Sequence, residues 1–155
     1  MGFKQLTIIP YFALLGLSSA FFYDTPEDCS WEPIDPDSDI QSVFLTCRLT
    51  SINSRLERTN FSVIPSDTTR GLRILCTEPH LGSLEPAGFS SLNLLEDLVI
   101  EGCALESLPS DAFQGLVSLK RLTVSTRHLS VLKLQSASFS HLSSLKRLAL
   151  RENSI

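Results

Sequence analysis

From Ile74 onward the apolar residues return in a fixed order. One unit reads Leu95-x-x-Leu98-x-Ile100-x-x-Cys103-x-Leu105, followed by Leu108 and Phe113. The next runs Leu116, Leu119-x-x-Leu122-x-Val124 and Leu129, and the third Leu142, Leu145-x-x-Leu148-x-Leu150-x-x-Asn153-x-Ile155. A weaker unit falls on the same frame as Ile74-x-Cys76-x-x-Pro79-x-Leu81, Leu84 and Phe89. The period barely changes: Phe89 to Phe113 is 24 residues and Phe113 to Phe139 is 26. Within each unit, pairs such as Leu98 and Ile100, or Leu148 and Leu150, alternate with more polar positions and so share one face of a short strand. One unit cannot bury its leucines alone. Successive units must therefore stack, their leucines forming a continuous core and their strands a parallel sheet. The outward rows of that sheet are then Arg73, Leu75 and Thr77; Asp97, Val99 and Glu101; Arg121, Thr123 and Ser125; and Arg147, Ala149 and Arg151. The longer third period predicts a bulge after Leu129.

These units resemble leucine-rich repeats of the extracellular kind. The variable half of each supplies Phe89-x-x-Leu92-x-x-Leu95, Phe113-x-x-Leu116-x-x-Leu119 or Phe139-x-x-Leu142-x-x-Leu145. The resemblance implies an α/β-type solenoid over residues 72–155, with short parallel strands on a concave face and turns and short helices on a convex one. At the position of Asn153 the frame favours a side chain that can hydrogen-bond the backbone of the turn. Cys103 stands there one unit earlier, whereas Arg127 and Pro79 depart from it, which predicts less regular turns.

A stacked array exposes its first leucines unless something covers them, so residues 21–71 are expected to form an amino-terminal cysteine cap. Val43-x-Leu45-x-Cys47-x-Leu49 alternates as a half-buried strand does, and Ile52 continues the series. Cys29 is expected to pair with Cys47, closing a loop over the first repeat. Cys76 occupies an inward strand position and Cys103 a turn. Both are expected as buried reduced thiols, with a bond between adjacent units as the alternative, since sequence does not determine connectivity. No Cys-x-x-Cys pair exists, and His80, His128 and His141 are scattered, so no zinc site is expected.

Residues 1–20 have the order of a signal peptide: Lys4, an apolar run from Leu6 to Leu17, then Ser18, Ser19 and Ala20. The run is short for a membrane span, which needs about 20 apolar residues. Export would place the four cysteines in an oxidising compartment where disulfides persist. The chain carries a formal charge of −4, and removing the first segment leaves 12 basic against 17 acidic residues. Nucleic acid is therefore not an expected partner. Asp24, Glu27, Asp28, Glu32, Asp35, Asp37 and Asp39 precede the first basic residue of the mature chain. They read as a solvated lead-in, with a contact for a basic partner as the alternative.

The repeats hold no nucleophile elbow, glycine-rich phosphate loop or paired acids, so neither catalysis nor a cofactor is expected. Asn60-Phe61-Ser62 is the only N-x-S/T acceptor and a candidate glycosylation site. The candidate ligand-binding surface is the concave face, carried by Arg73, Asp97, Val99, Glu101, Arg121, Thr123, Arg147 and Arg151. A basic, an acidic and two basic-leaning rows suit the orientation of a protein partner. Binding on a lateral edge is the alternative.

Beyond the general repeat, the segment from Cys29 to Cys103 is similar to the start of arthropod Toll receptors. The residues that carry this are Cys29-x-Trp31, Leu45-Thr46-Cys47-x-Leu49-x-x-Ile52, Thr59-Asn60-Phe61-Ser62-Val63-Ile64-Pro65, Leu72-Arg73-Ile74-x-Cys76 and Leu98-x-Ile100-Glu101-x-Cys103. The resemblance implies the ligand-sensing end of a type I receptor, at the extracellular side of the plasma membrane. It also implies a cystine-knot cytokine of the Spätzle kind as partner, a receptor dimer, and signalling through a cytoplasmic TIR domain in immunity or development. The sequence reaches Ile155 without a carboxy-terminal cap, a membrane span or a TIR domain, and is expected to be part of a longer one, a natural secreted short form being the alternative. A secreted adhesion or extracellular-matrix repeat protein is the second functional reading.

Overall fold

The computed structural model describes residues 28–34, 42–55, 58–78, 80–126 and 131–151. The expected signal segment, His128, Leu129, Asn153, and the turn positions Pro79 and Arg127 lie outside them. One long sheet runs through the molecule in the order β1 (Cys29–Pro33), β2 (Val43–Leu49), β3 (Thr69–Cys76), β5 (Asp97–Leu105), β7 (Arg121–Thr126) and β9 (Arg147–Arg151). The pairing of β1 with β2 is antiparallel, and every later step is parallel. Short strands β4 (Leu81–Gly82), β6 (Ser107–Leu108) and β8 (Lys133–Leu134) line one flank, β4 pairing with β5 and β6 with β8. The chain thus winds as a right-through repeat solenoid of four coils, β2 to β3, β3 to β5, β5 to β7 and β7 to β9.

The inward column is in register throughout: Leu45, Leu72, Leu98, Leu122 and Leu148 are successive partners, as are Cys47, Ile74, Ile100, Val124 and Leu150. All but the β9 members are buried. Leu148 is 43% exposed, because β9 has a neighbour on one side only among the described residues. Removal of such side chains from water, at roughly 25 cal/mol per Å² of apolar surface, is the main force holding coil on coil.

The return segments depart from expectation. Short helices are expected on that side, yet among the described residues the only helical element is one 3-10 turn, Phe61–Val63. The Phe-x-x-Leu-x-x-Leu motifs make two successive turns instead. Leu92, Leu116 and Leu142 donate their N–H to the carbonyls of Phe89, Phe113 and Phe139 at 2.9, 3.3 and 3.1 Å. Leu95, Leu119 and Leu145 repeat the step onto Leu92, Leu116 and Leu142. A spacing of three fits i to i+3 bonding, and it aims all three apolar side chains inward.

The phenylalanines stack into a column through the core. Ring centroids lie 4.6 Å apart from Phe61 to Phe89, 6.4 Å from Phe89 to Phe113, and 6.1 Å from Phe113 to Phe139. Phe61 is therefore the first marker of the repeat, although its sequence context reads as a glycosylation motif. Together with the parallel pairing of β2 and β3, it shows that the first coil begins at Val43, inside the segment expected as a cap, and the expected boundary at residue 72 falls within β3. What precedes the first coil among the described residues is β1.

Two further readings change. The leucine frame sets Leu81 inward with Leu105, but Leu81 pairs with Ala104 and is 52% exposed. Gly82 stands opposite Leu105, where a Cβ would run into the carbonyl oxygen of Ile52; the preceding coil already fills that space. Cys103 pairs with Thr126, one residue earlier than the even period puts its partner, because the ladder shifts register at Gly102, whose φ is 70°.

Candidate recognition surface

All four cysteines are bonded. Cys29 joins Cys47, its register partner across the β1–β2 pair, with Cα atoms 4.0 Å apart. Cys76 joins Cys103 in the next coil at 4.8 Å. This second bond overturns the expectation of buried thiols. The bond links the last residue of β3 to a residue within β5, just past the Leu75–Glu101 pair at which the β3–β5 ladder ends and next to the register shift at Gly102.

Strand alternation sends the remaining side chains to the open face of the sheet, in three columns. The first is Phe44, Gly71, Asp97, Arg121 and Arg147; the second Thr46, Arg73, Val99, Thr123 and Ala149; the third Arg48, Leu75, Glu101, Ser125 and Arg151. Every expected recognition residue lies on this face. Adjacent strands are about 4.8 Å apart, so the set forms one contiguous surface. Val99, at 9% exposure, is part of its floor rather than a projection.

Two of the arginines are held in place. Arg121 donates from Nε and Nη2 to Asp97 Oδ2 at 3.0 and 2.9 Å. The Asp97 side chain is only 18% exposed, so it is already engaged. Arg73 lies over the Phe44 ring, its guanidinium carbon 5.8 Å from the centroid. Phe44 can lie flat because its partner is Gly71, where any Cβ would collide with the ring. Phe44, Thr46 and Arg48 were not among the expected contacts. The alternation Val43-x-Leu45-x-Cys47-x-Leu49 marks them as outward, but a strand expected to belong to a cap supplies no row to the open face of the repeats.

Next to this face runs a line of strand-preceding residues. Glu96 donates its N–H to the Arg70 carbonyl, Lys120 to that of Glu96 and Lys146 to that of Lys120, at 2.7, 2.8 and 2.9 Å. Glu96 and Lys120 also form an ion pair of 2.8 Å between neighbouring coils. Being exposed, it adds at most about 1 kcal/mol.

The other candidate residues are not brought together. Asn60 caps the 3-10 turn, its Oδ1 accepting from the Ser62 N–H at 3.0 Å and the Ser62 hydroxyl at 2.7 Å. It sits on the return side, remote from the open face along the coil. His80 pairs with Glu78 at 2.9 Å, and His141 lies on a separate coil. Among the described residues no three His, Cys, Asp or Glu side chains group as a metal site would need, and no helix is long and apolar enough to cross a membrane.

A disulfide-bonded solenoid with one unfilled sheet face belongs to the class of repeat-based protein-interaction domains. The chain is similar to Toll-like receptor 7 of Drosophila melanogaster, 40% identical over 65 residues. The match spans 41% of this chain and 4% of that protein. No family model matches the sequence. The two disulfides and the receptor likeness fit a protein of the extracellular space or the secretory pathway.

Proposed function

We propose that this chain is the amino-terminal leucine-rich-repeat part of a Toll-like receptor ectodomain, a non-catalytic module that recognises a protein ligand on the open, concave face of its sheet. The observation that carries this reading is the set of three in-register columns, two of whose arginines, Arg121 and Arg73, are pre-positioned by Asp97 and Phe44. Groups held before binding lose less conformational freedom on docking. Sequence likeness to a Toll-like receptor supports the receptor class. A cystine-knot cytokine of the Spätzle kind is the partner this reading selects, acting on a receptor dimer in innate immunity or development. The protein enters the secretory pathway behind residues 1–20 and carries a glycan on Asn60.

Two experiments test the reading. The coding sequence is expected to continue past Ile155 into further repeats, an apolar span and a TIR region; a carboxy-terminal cap followed by a stop codon there contradicts the receptor assignment. In surface plasmon resonance against a recombinant Spätzle-type cytokine, Arg147→Glu is expected to weaken binding about tenfold, the scale of one interface anchor, without lowering the melting temperature. Unchanged affinity argues against recognition on this face.

A further inference from the structure

We infer that the partner of the open face meets it with carboxylates set beside apolar side chains, so that its docking surface is acidic although this chain is itself acidic overall. This rests on the open-face reading above and specifies the chemistry of the ligand.

The charges of the face are banded by strand. Asp28 and Glu32 lie opposite Arg48 and Phe44 at the β1 edge, and Asp97 and Glu101 stand on β5. Arginines occupy all the other strands: Arg48, Arg73, Arg121, Arg147 and Arg151. Five arginines against four carboxylates leave the face one charge positive on a chain of formal charge −4, with the excess gathered on β3, β7 and β9. Among the described residues only Arg121 has a carboxylate within ion-pair distance. Arg48, Arg73, Arg147 and Arg151 are exposed, and no described carboxylate lies within ion-pair distance of them.

A partner that covers these groups removes their water. An arginine buried without a counter-charge costs several kcal/mol, so a fitting partner must supply acceptors. Arginine's planar fork matches a carboxylate with two parallel hydrogen bonds. On β9, Arg147 and Arg151 flank Ala149, about 13 Å apart at strand rise, and on β3 Arg73 borders Leu75 and Val99. Apolar floor between the cations favours a protein surface over a polyanion backbone. A nucleic acid or sulfated glycan lying across the strands would also meet Glu101 and the β1 carboxylates. Asp97 has a different part: it positions Arg121 and is not itself a contact.

The test uses the whole chain and fluorescein-labelled peptides of alternating Asp and Leu, Asn and Leu, or Lys and Leu, read by anisotropy at low and high salt. The Asp-Leu peptide is expected to bind best, weakening as salt rises. Arg73→Glu and Arg147→Glu should each weaken it about tenfold, one anchor's worth, with the melting temperature unchanged. Val117→Glu, on the return side, should leave it unaltered.

Preferential binding of the Lys-Leu peptide, lost in Glu101→Lys, overturns the acidic partner while leaving the open face as the site. Tight Asp-Leu binding indifferent to both arginine variants overturns the open face itself. Heparin or single-stranded DNA displacing the peptide and binding more tightly than it overturns the protein-surface chemistry in favour of a polyanion. Absence of binding by all three peptides also contradicts the inference.

Discussion

Gly82 stands where the coil has no room for a side chain. Its place opposite Leu105 suggests a large inward residue, yet the carbonyl of Ile52 occupies that volume. Gly82→Ala is expected to destabilise the fold by about 2 kcal/mol, in the range of overpacked interiors, as read from denaturant midpoints. Thr69 is the converse case. It is fully buried, and its hydroxyl has no hydrogen-bond partner among the described residues. An unsatisfied buried hydroxyl costs about 1–3 kcal/mol, so the isosteric Thr69→Val should raise stability by about 1 kcal/mol in the same assay. Neither site was legible in the sequence, because each depends on what the adjacent coil places against it. Leucine periodicity reports which positions face inward and nothing about how much space they find there.

At the scale of elements, periodicity read correctly where it was regular and misread where the chain changes step. Strands β5, β7 and β9 and their outward rows follow from a 24 to 26 residue spacing alone. The first coil escaped because Phe61 lies 28 residues before Phe89 and sits inside a glycosylation motif. The bridge between Cys76 and Cys103 stands in the sequence only as the alternative to two buried thiols, because the leucine frame puts one cysteine in a strand and the other in a turn, whereas both lie in neighbouring strands. Both elements carry stability. Phe113 is fully buried between Phe89 and Phe139, and Phe113→Ala should cost about 3–5 kcal/mol. Replacing Cys76 and Cys103 together by Ser should remove about 3 kcal/mol on the chain-entropy account of a crosslink closing a loop of this length. Urea unfolding of both variants beside the parent chain measures each loss.

At the scale of the whole molecule, the solenoid separates a charged open face from an apolar interior that is covered coil by coil. Among the described residues the sheet edge at β9 is the exception, with Leu148 in the inward column and 43% exposed. Unpaired strand edges with apolar side chains invite self-association. Leu148→Glu is expected to reduce concentration-dependent aggregation of this chain in light scattering while lowering its melting temperature, because position 148 still packs beside buried Leu122 in the inward column. The eight expected contact residues all reached one surface, because strand alternation alone decides which side of a sheet a residue occupies. Their roles within that surface were not legible. The ion pair that engages Asp97 and the ring that seats Arg73 arise from neighbours 24 and 29 residues away in sequence.

Hydroxyl-radical footprinting of the chain with and without a bound Spätzle-type cytokine tests the central claim most directly. Recognition on the open face predicts that Phe44 and Leu75 lose reactivity on binding, while Val63 and Val117 on the return side keep theirs. Protection of Val63 and Val117 with Phe44 and Leu75 unchanged would contradict it.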